Sequence, residues 1–446
     1  MTSNGRDETA GRTSQTHGEE SKQLVAARAI VRLLADHLNA DLSVRLWNGE
    51  VLPLGSNAKD DIQIAVASPQ AVRRLLLRPR LETIFELYAS AEIEVIGAHP
   101  LAAADRWSHG RAVKLARSLP TARLLRLSLP FLLTNARQSN AAPAFAKRHG
   151  ESVRPDRDMI RFHYDVSNRF YGLFLDREMV YSSAYFSHAA EDLDQAQISK
   201  LDQICRKLRL KPGDKLLDIG CGWGALACHA ARVYGADVHG ITLSKTQHEH
   251  AVSKVQRLGL QDKVMIQLGD YRSLTEESAY DKVSQIEMFE HVGFDAHERH
   301  FTHIHRLLKP RGLYLHQSSV RRGGRDLSRF RRPTGTTRTI TRYIFPGGEL
   351  DYIGLTVTNL GRFGFEVHDV QNMREHFLLT LKHWIERLYA RREEAAAEVG
   401  WPRTRLWLAY FSVFAKGFER GAVLVYQTMA SKRAPGPSGL PLMRES

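Results

Sequence analysis

The stretch KLLDIGCGWGALACHAA, Lys215–Ala231, decides the fold. It opens on an apolar run of strand length, breaks at Gly220, Gly222 and Gly224, and continues into the small residues of a helix start. The glycines are spaced G-x-G-x-G, not the G-x-G-x-x-G of dinucleotide-binding turns. In a dinucleotide site the third glycine lets the helix start approach a pyrophosphate. Here the third glycine comes one position early with the bulky Trp223 just before it, and Asp218 precedes the first glycine. A carboxylate there repels a phosphate and suits a cationic amine. A ligand-free tight turn is the alternative reading.

S-adenosylmethionine carries an amino group and a sulfonium but no phosphate, so the chemistry of the turn points to it. Working outward, the second apolar run ends in GITLSKTQ, which offers Thr242, Ser244 and Gln247 to a ligand instead of the acid that commonly binds ribose hydroxyls. The third ends in GDYRS, where Asp270 can accept from an adenine amino group and Tyr271 can pack on the ring. The runs KLLDIG, DVHGITL, KVMIQLGD, DKVSQIEMF and GLYLHQSSV leave room for crossover helices between them. That alternation predicts a doubly wound, Rossmann-like α/β sheet. Two late runs, FEVHDVQ and AVLVYQTM, read as an edge pair.

Ahead of this lies a smaller α+β pattern. Asn48-Gly49 between two alternating runs signals a hairpin, DIQIAVAS and AEIEVIG read as strands, and PQAVRRLLLR and LETIFELYAS read as helices. The expected organisation is a disordered tail over 1–22, a small α+β domain with a basic helical segment over 23–137, and a linker over 138–158. The large domain follows over 159–430, with a flexible tail over 431–446.

The chain has 446 residues, a formal charge of +14 and three cysteines, Cys205, Cys221 and Cys228. The charge favours an anionic partner. The cysteines are too few for a disulfide framework or a structural zinc site, and no apolar stretch approaches a membrane span. A cytoplasmic protein meeting the inner face of a membrane from the side is expected. Nucleic acid is set aside, because no recognition motif accompanies the charge.

The segments HYDVSNRFYGLFLDREMVYSSAYF (163–186), LLDIGCGWG (216–224), ITLSKTQ (241–247), IEMFEHVG (286–293) and IFPGG (344–348) resemble the cyclopropane fatty acyl phospholipid synthases. Mycolic acid cyclopropane synthases belong to the same superfamily. The resemblance implies a class I methyltransferase fold. It also implies transfer of a carbon from S-adenosylmethionine to the double bond of an unsaturated acyl chain in a membrane phospholipid. A cyclopropane ring is the expected product, with a methyl- or methylene-branched chain or small-molecule N-methylation as alternatives. A homodimer is kept as an expectation. By the resemblance, Tyr181 and Ser182 contact the cofactor together with the turn from Asp218 to Gly224. Thr242, Leu243 and Gln247 meet its ribose, and Asp270 and Tyr271 its adenine.

The resemblance also implies a bound bicarbonate as the base, held by Glu290 and His316, with His316 supplying a shared proton. Read without the resemblance, Glu290 is a buried carboxylate at a helix start and His316 a satisfied core histidine. Three positions depart from the family. Ser183 stands where a cysteine is expected, Phe377 where a tyrosine is expected, and Phe414 where a second cysteine is expected. Ser183 can still donate a hydrogen bond, so it stays a catalytic candidate, but Phe377 cannot. The ion site is therefore thinner, and ring closure less secure, than in the family.

The histidine-rich HVGFDAHERHFTHIHRLLK matches no metal pattern, and His297, Glu298 and His300 read as a solvated helix face. The run RRGGRDLSRFRRPTGTTR (321–338) reads either as a cradle for lipid phosphates or as a solvated loop. Arg111, Lys114, Arg117, Arg123 and Arg126 among apolar residues suit an amphipathic helix facing a membrane, or packing between domains.

Overall fold

The computed structural model describes residues 8–106, 120–133, 166–324, 330–332, 334–344 and 347–442. The expected linker, Arg111, Lys114, Arg117 and part of the basic run at 321–338 lie outside the described residues. The chain divides into two compact units, 1–149 with 400–409 and 150–399 with 410–446.

The first unit is built on a four-stranded sheet of order β2-β1-β3-β4. Its strands are β1 (Ser43–Arg45), β2 (Val51–Pro53), β3 (Gln63–Val66) and β4 (Ile93–Ile96). The Asn48-Gly49 hairpin forms, with Arg45 opposite Val51 and Gly49 in the left-handed region its turn requires. Ala26, Ala27 and Val31, from a helix spanning Glu8–Leu38, pack on Leu42, Val44, Leu46, Leu54 and Phe131.

Two expectations need correction here. The helix begins at Glu8, inside the stretch read as a tail. Once its apolar half is nucleated by burial, extending it back through a proline-free polar run costs little per residue. The unit also takes in residues 400–409, where Arg405 pairs with Glu94 at 2.9 Å. A contiguous boundary read along the chain could not show that return.

The second unit holds the seven-stranded sheet, of order β10-β11-β9-β8-β5-β6-β7. Its strands are β5 (Lys215–Ile219), β6 (Asp237–Thr242), β7 (Val264–Leu268), β8 (Tyr280–Ile286), β9 (Leu308–Arg321), β10 (Phe365–Asn372) and β11 (Val423–Lys432). Strands β9, β8, β5, β6 and β7 run parallel; β11 lies antiparallel between β9 and β10. The alternation of β5 sets both cores. Leu216 packs with Leu226, Val238 and Leu315 on one face, while Leu217 and Ile219 pack with Ile241, Phe301 and Tyr314 on the other. From β5 the chain winds outward through β6 and β7, then returns to β8 on the other side. The crevice beyond the carboxyl ends of β5 and β8 is therefore the topological switch point, where open α/β sheets bind ligands.

The tail expected from residue 431 is also corrected. Strand β11 runs to Lys432, the Arg433 N–H donates to Gly364 O at 2.9 Å, and Leu440 packs against the core. Backbone groups beside a sheet edge gain most when paired, which holds this segment in place.

Gly240 on β6 lies directly under the glycine turn. A Cβ there would sit 2.9 Å from Ile266 Cδ1 and 3.1 Å from Cys221 Sγ. Gly240→Ala should cost about 1–3 kcal/mol and Gly240→Val more, by overpacking. Urea unfolding followed by tryptophan fluorescence checks this; a variant as stable as the parent would refute the close-approach argument.

Candidate active site

All three glycines of the turn have positive φ, +77° at Gly220, +54° at Gly222 and +80° at Gly224. A side chain at Gly220 would press on Met288 at 3.2 Å, whereas nothing lies within 4 Å of the Cβ direction at Gly222. Trp223, read from sequence as an intrusion, acts as a pin. Its indole N–H donates to Asn168 Oδ1 at 2.7 Å, and its ring packs 4.9 Å from Tyr171.

The turn opens on a cavity of about 720 Å³. Tyr181, Ser182, Asp218, Gly220, Gly222, Thr242, Leu243, Gln247, Asp270 and Tyr271 all line it. Of the expected cofactor residues only Gly224 stands back from the wall; it starts the helix Ala225–Tyr234. Thr242 donates to Gln247 Oε1 at 2.8 Å, which fixes both side chains. Asp270 differs from its expected role. Its carboxylate caps the Arg272 N–H and pairs with the Arg272 guanidinium at 2.7 Å, so an adenine amino group would have to share it. Tyr181 stacks on Trp384, with ring centroids 5.1 Å apart.

The charges in this wall were not all visible in the sequence. Asp218 is buried and accepts from Ser284 Oγ at 2.8 Å; burial pushes its carboxyl up to about 6 against that hydrogen bond and Lys200. Lys200, on the helix Leu193–Lys207, is 2% exposed and donates to Ser182 Oγ at 2.9 Å. Burial pulls its ammonium down to about 8 against the opposing pull of Glu287, Asp176 and Asp218. Three carboxylates thus share one ammonium, and a cationic ligand relieves the imbalance. The donor set fits S-adenosylmethionine: carboxylate at the amine end, Thr242 and Gln247 for hydroxyls, Tyr271 for a ring.

The expected ion site is not assembled. Ser183 is fully buried, and its hydroxyl is spent on the carbonyl of Ala184 at 3.0 Å. Phe377 and Phe414 are apolar packing, 4.8 Å from Phe418 and 4.8 Å from Tyr410 respectively. His316 has both ring nitrogens engaged, Nδ1 with the Tyr314 hydroxyl and Nε2 with Ser318 Oγ, each at 3.1 Å. Burial drives it down to about 3, so it is neutral, and its single N–H is taken up within these two contacts. Neither Ser183, Glu290 nor His316 lines the cavity. Of these three, Glu290 keeps a buried oxygen, Oε2, without a partner, while its Oε1 accepts from the Ser319 N–H at 2.6 Å. These residues do not fit a bicarbonate.

The histidine helix is corrected as well. His297 and His300 lie buried on the same face as Phe301, Ile304 and Leu307 of the helix His297–Leu307. They continue its apolar stripe, the signal the sequence reading passed over. His300 joins the Tyr271 hydroxyl at 2.7 Å to Gln285 Oε1 at 2.9 Å, and burial holds it neutral. Among the described residues no cluster of His, Cys, Asp and Glu could hold a metal ion.

Glu290 itself generates a prediction. Burial and the neighbouring Glu287 raise its carboxyl from an ordinary 4.5 to about 8. The native state therefore holds a proton that the unfolded chain releases, and stability falls as pH rises from about 4.5 to about 8. Glu290→Gln mimics the protonated form. Its Tm should change less than the parent's across that window and exceed it near pH 8.5; parallel melting curves would refute the shift.

Residues 151–428 match the mycolic acid cyclopropane synthetase family. The chain is 36% identical over 411 residues to a protein of Pseudomonas putida named probable fatty acid methyltransferase, covering 92% of this chain and 96% of that one. It is 33% identical over 271 residues to the cyclopropane-fatty-acyl-phospholipid synthase of Escherichia coli, covering 60% and 66%. Its structure matches the mycolic acid cyclopropane synthase CmaA1 complexed with SAH and CTAB, with a TM-score of 0.58 and 32% identity, covering 63% of this chain and 99% of that one. The glycine turn, the carboxylate-lined cavity and these likenesses agree: the chain belongs to the mycolic acid cyclopropane synthetase family and is an S-adenosylmethionine-dependent methyltransferase.

Proposed function

We propose that the enzyme transfers a one-carbon unit to the double bond of an unsaturated acyl chain of a membrane phospholipid, closing a cyclopropane ring. The observation that carries this reading is the composition of the cavity. Its lining combines polar and anionic groups, Asp218, Thr242 and Asp270, with apolar ones, Tyr181, Leu201, Ile204 and Trp223. S-adenosylmethionine, when bound, supplies an electrophilic methyl group. The protein's own part is to exclude water, to align a weakly nucleophilic alkene, and to take up a proton afterwards. Tyr181 in the lining, backed by the buried rings of Tyr171, Phe174 and Trp384, suits the first two tasks.

A second reading is favoured by the apolar replacements at Phe377 and Phe414. With no ion fixed between them, the proton can leave from another carbon, and the product is then a branched chain. The Pseudomonas putida relative's name, a fatty acid methyltransferase, is compatible with either product.

A bilayer as the source of substrate is supported by the helix Thr121–Leu132 of the first unit. Leu125 and Leu129 are 62% and 43% exposed, Leu133 just beyond is 79% exposed, and Arg123 and Arg126 are exposed beside them. An exposed leucine stripe with flanking arginines suits the interface of an anionic membrane. No helix among the described residues is long and apolar enough to cross a membrane.

Two measurements test this. Purified enzyme with unsaturated phospholipid vesicles and S-adenosylmethionine bearing a fully deuterated methyl should label the acyl chains, as read by mass spectrometry. Two retained deuteriums with resistance to mild hydrogenation identify the ring, and three identify a branch; unlabelled chains would sink the proposal. Replacing Leu125 and Leu129 together by Asp should weaken co-sedimentation with anionic vesicles at least tenfold while leaving the melting temperature within a few degrees. Unchanged binding would remove this helix from the membrane surface.

A further inference from the structure

The misfit of the ion site leaves the reaction without its expected proton acceptor. A carboxylate that the sequence reading did not use lines the cavity. Glu287 is the first residue beyond β8 and holds φ +49°, the left-handed region. A residue with a side chain is strained there by about 1 kcal/mol or more, and such strain persists where the surroundings over-determine it. Here they do. The Glu287 N–H donates to Gln317 O at 2.7 Å, while its Oε1 accepts from the Ser183 N–H at 2.9 Å and from Gln317 Nε2 at 2.7 Å. Gln317 is in turn held by Gln427 Nε2 at 3.0 Å, and both glutamines are fully buried. No described residue donates a hydrogen bond to Oε2 of Glu287, and the side chain faces the cavity.

We propose that Glu287 is the general base of the reaction, taking the proton from the methylated acyl chain on Oε2 in place of a bound ion. The assignment rests on the function proposed above. The step balances without a redox partner. After the alkene has gained a methyl, its neighbouring carbon is cationic. A methyl C–H bond breaks, its electron pair closes the third C–C bond of the ring, and the proton passes to Glu287. Loss of a chain proton instead forms a C=C bond beside the branch. A carboxylate cannot give a saturated branch, which needs a hydride. The surroundings suit the role: burial raises the carboxyl of Glu287 and so its basicity, Lys200 opposes this by favouring the ionised form, and burial with the charge of Glu287 raises the carboxyl of Glu290.

The test compares the full-length enzyme with Glu287→Gly and Glu287→Gln, using the labelled-methyl assay in carbonate-free buffer and again with added bicarbonate. Glycine adopts positive φ without strain, so Glu287→Gly keeps the backbone where it is. The parent should be equally active in both buffers and lose one deuterium per chain. Both variants should fall by about 10²–10⁴-fold, the usual share of a general base. Their affinity for S-adenosylhomocysteine by calorimetry should fall far less than the rate, by tenfold at most. Bicarbonate should restore Glu287→Gly in part, by filling the space the side chain vacates. A parent that needs bicarbonate, or variants within twofold of the parent, would overturn the assignment while leaving the methyl transfer standing. A parent that labels no acyl chain would overturn the underlying function and the assignment with it.

Discussion

Asp176, Asp218 and Glu287 compete for one ammonium, Lys200, whose own burial leaves it little contact with water. A buried carboxylate without a cation is costly, so each must be held by hydrogen bonds or by the shared charge. Asp176 accepts from the N–H groups of Val180 and Glu178, Asp218 from Ser284, and Glu287 from Ser183 and Gln317. Sheet topology makes this assembly unavoidable. β5 and β8 are parallel neighbours, so Asp218 and Glu287 arrive at the same carboxyl edge from distant parts of the chain. The helix carrying Lys200 precedes β5 and delivers the cation to the same edge. A cavity with such an excess of negative charge is made for a cationic ligand. A sulfonium with an amino group answers it better than a pyrophosphate does.

The loop that caps this cluster has little regular structure of its own, and it is fixed from the side. The Ala184 N–H donates to Thr380 Oγ1 at 3.0 Å, and the Phe186 N–H to His376 Nδ1 at 3.1 Å. Both acceptors lie on the helix Arg374–Ala390, which also supplies Trp384 to stack on Tyr181. Buried backbone donors are expensive to leave unpaired, so the loop's course is set by these two bonds. Tyr181, Ser182 and Ser183 thereby keep fixed positions beside the cavity. Tyr181 is stiffly backed by an aromatic cluster, with Phe174 packed on Trp384 at 6.0 Å and on Phe411 at 5.3 Å.

The glycine turn was legible because its meaning is local. Three glycines with positive φ, an acid before them and an apolar run before that are all written within ten residues. Thr242, Gln247 and Tyr271 follow from strand ends for the same reason. Lys200 was not legible: in DQAQISKLDQ it looks like one more polar residue of a surface helix, and only the tertiary structure turns it inward. His300 was misread because histidine counts as polar, although it sits in register with Phe301, Ile304 and Leu307. Glu287 was hidden by its neighbour. EMFEHVG contains two glutamates, and the resemblance pointed to the second. What distinguishes the first is a backbone angle and two partners, Ser183 and Gln317, that lie 104 and 30 residues away. Glu290 was found, but its condition was not. Burial makes it an acid at neutral pH, a fact of environment and not of spacing.

A base that belongs to the chain changes what sets the product. A bound ion can shift within its cage and can be absent. A carboxylate on a strained backbone, tied to Gln317 through both its main chain and its side chain, stands where the fold puts it. The proton removed is then the one nearest Oε2 in the bound acyl chain. The methyl hydrogen gives the ring and a chain hydrogen gives the branched alkene. Lys200 biases the same decision by charge, favouring the ionised Glu287 against its burial. Ser183, Phe377 and Phe414 need no hydrogen bond to an ion under this arrangement. Their departure from the family pattern is what a site relieved of its ion would tolerate.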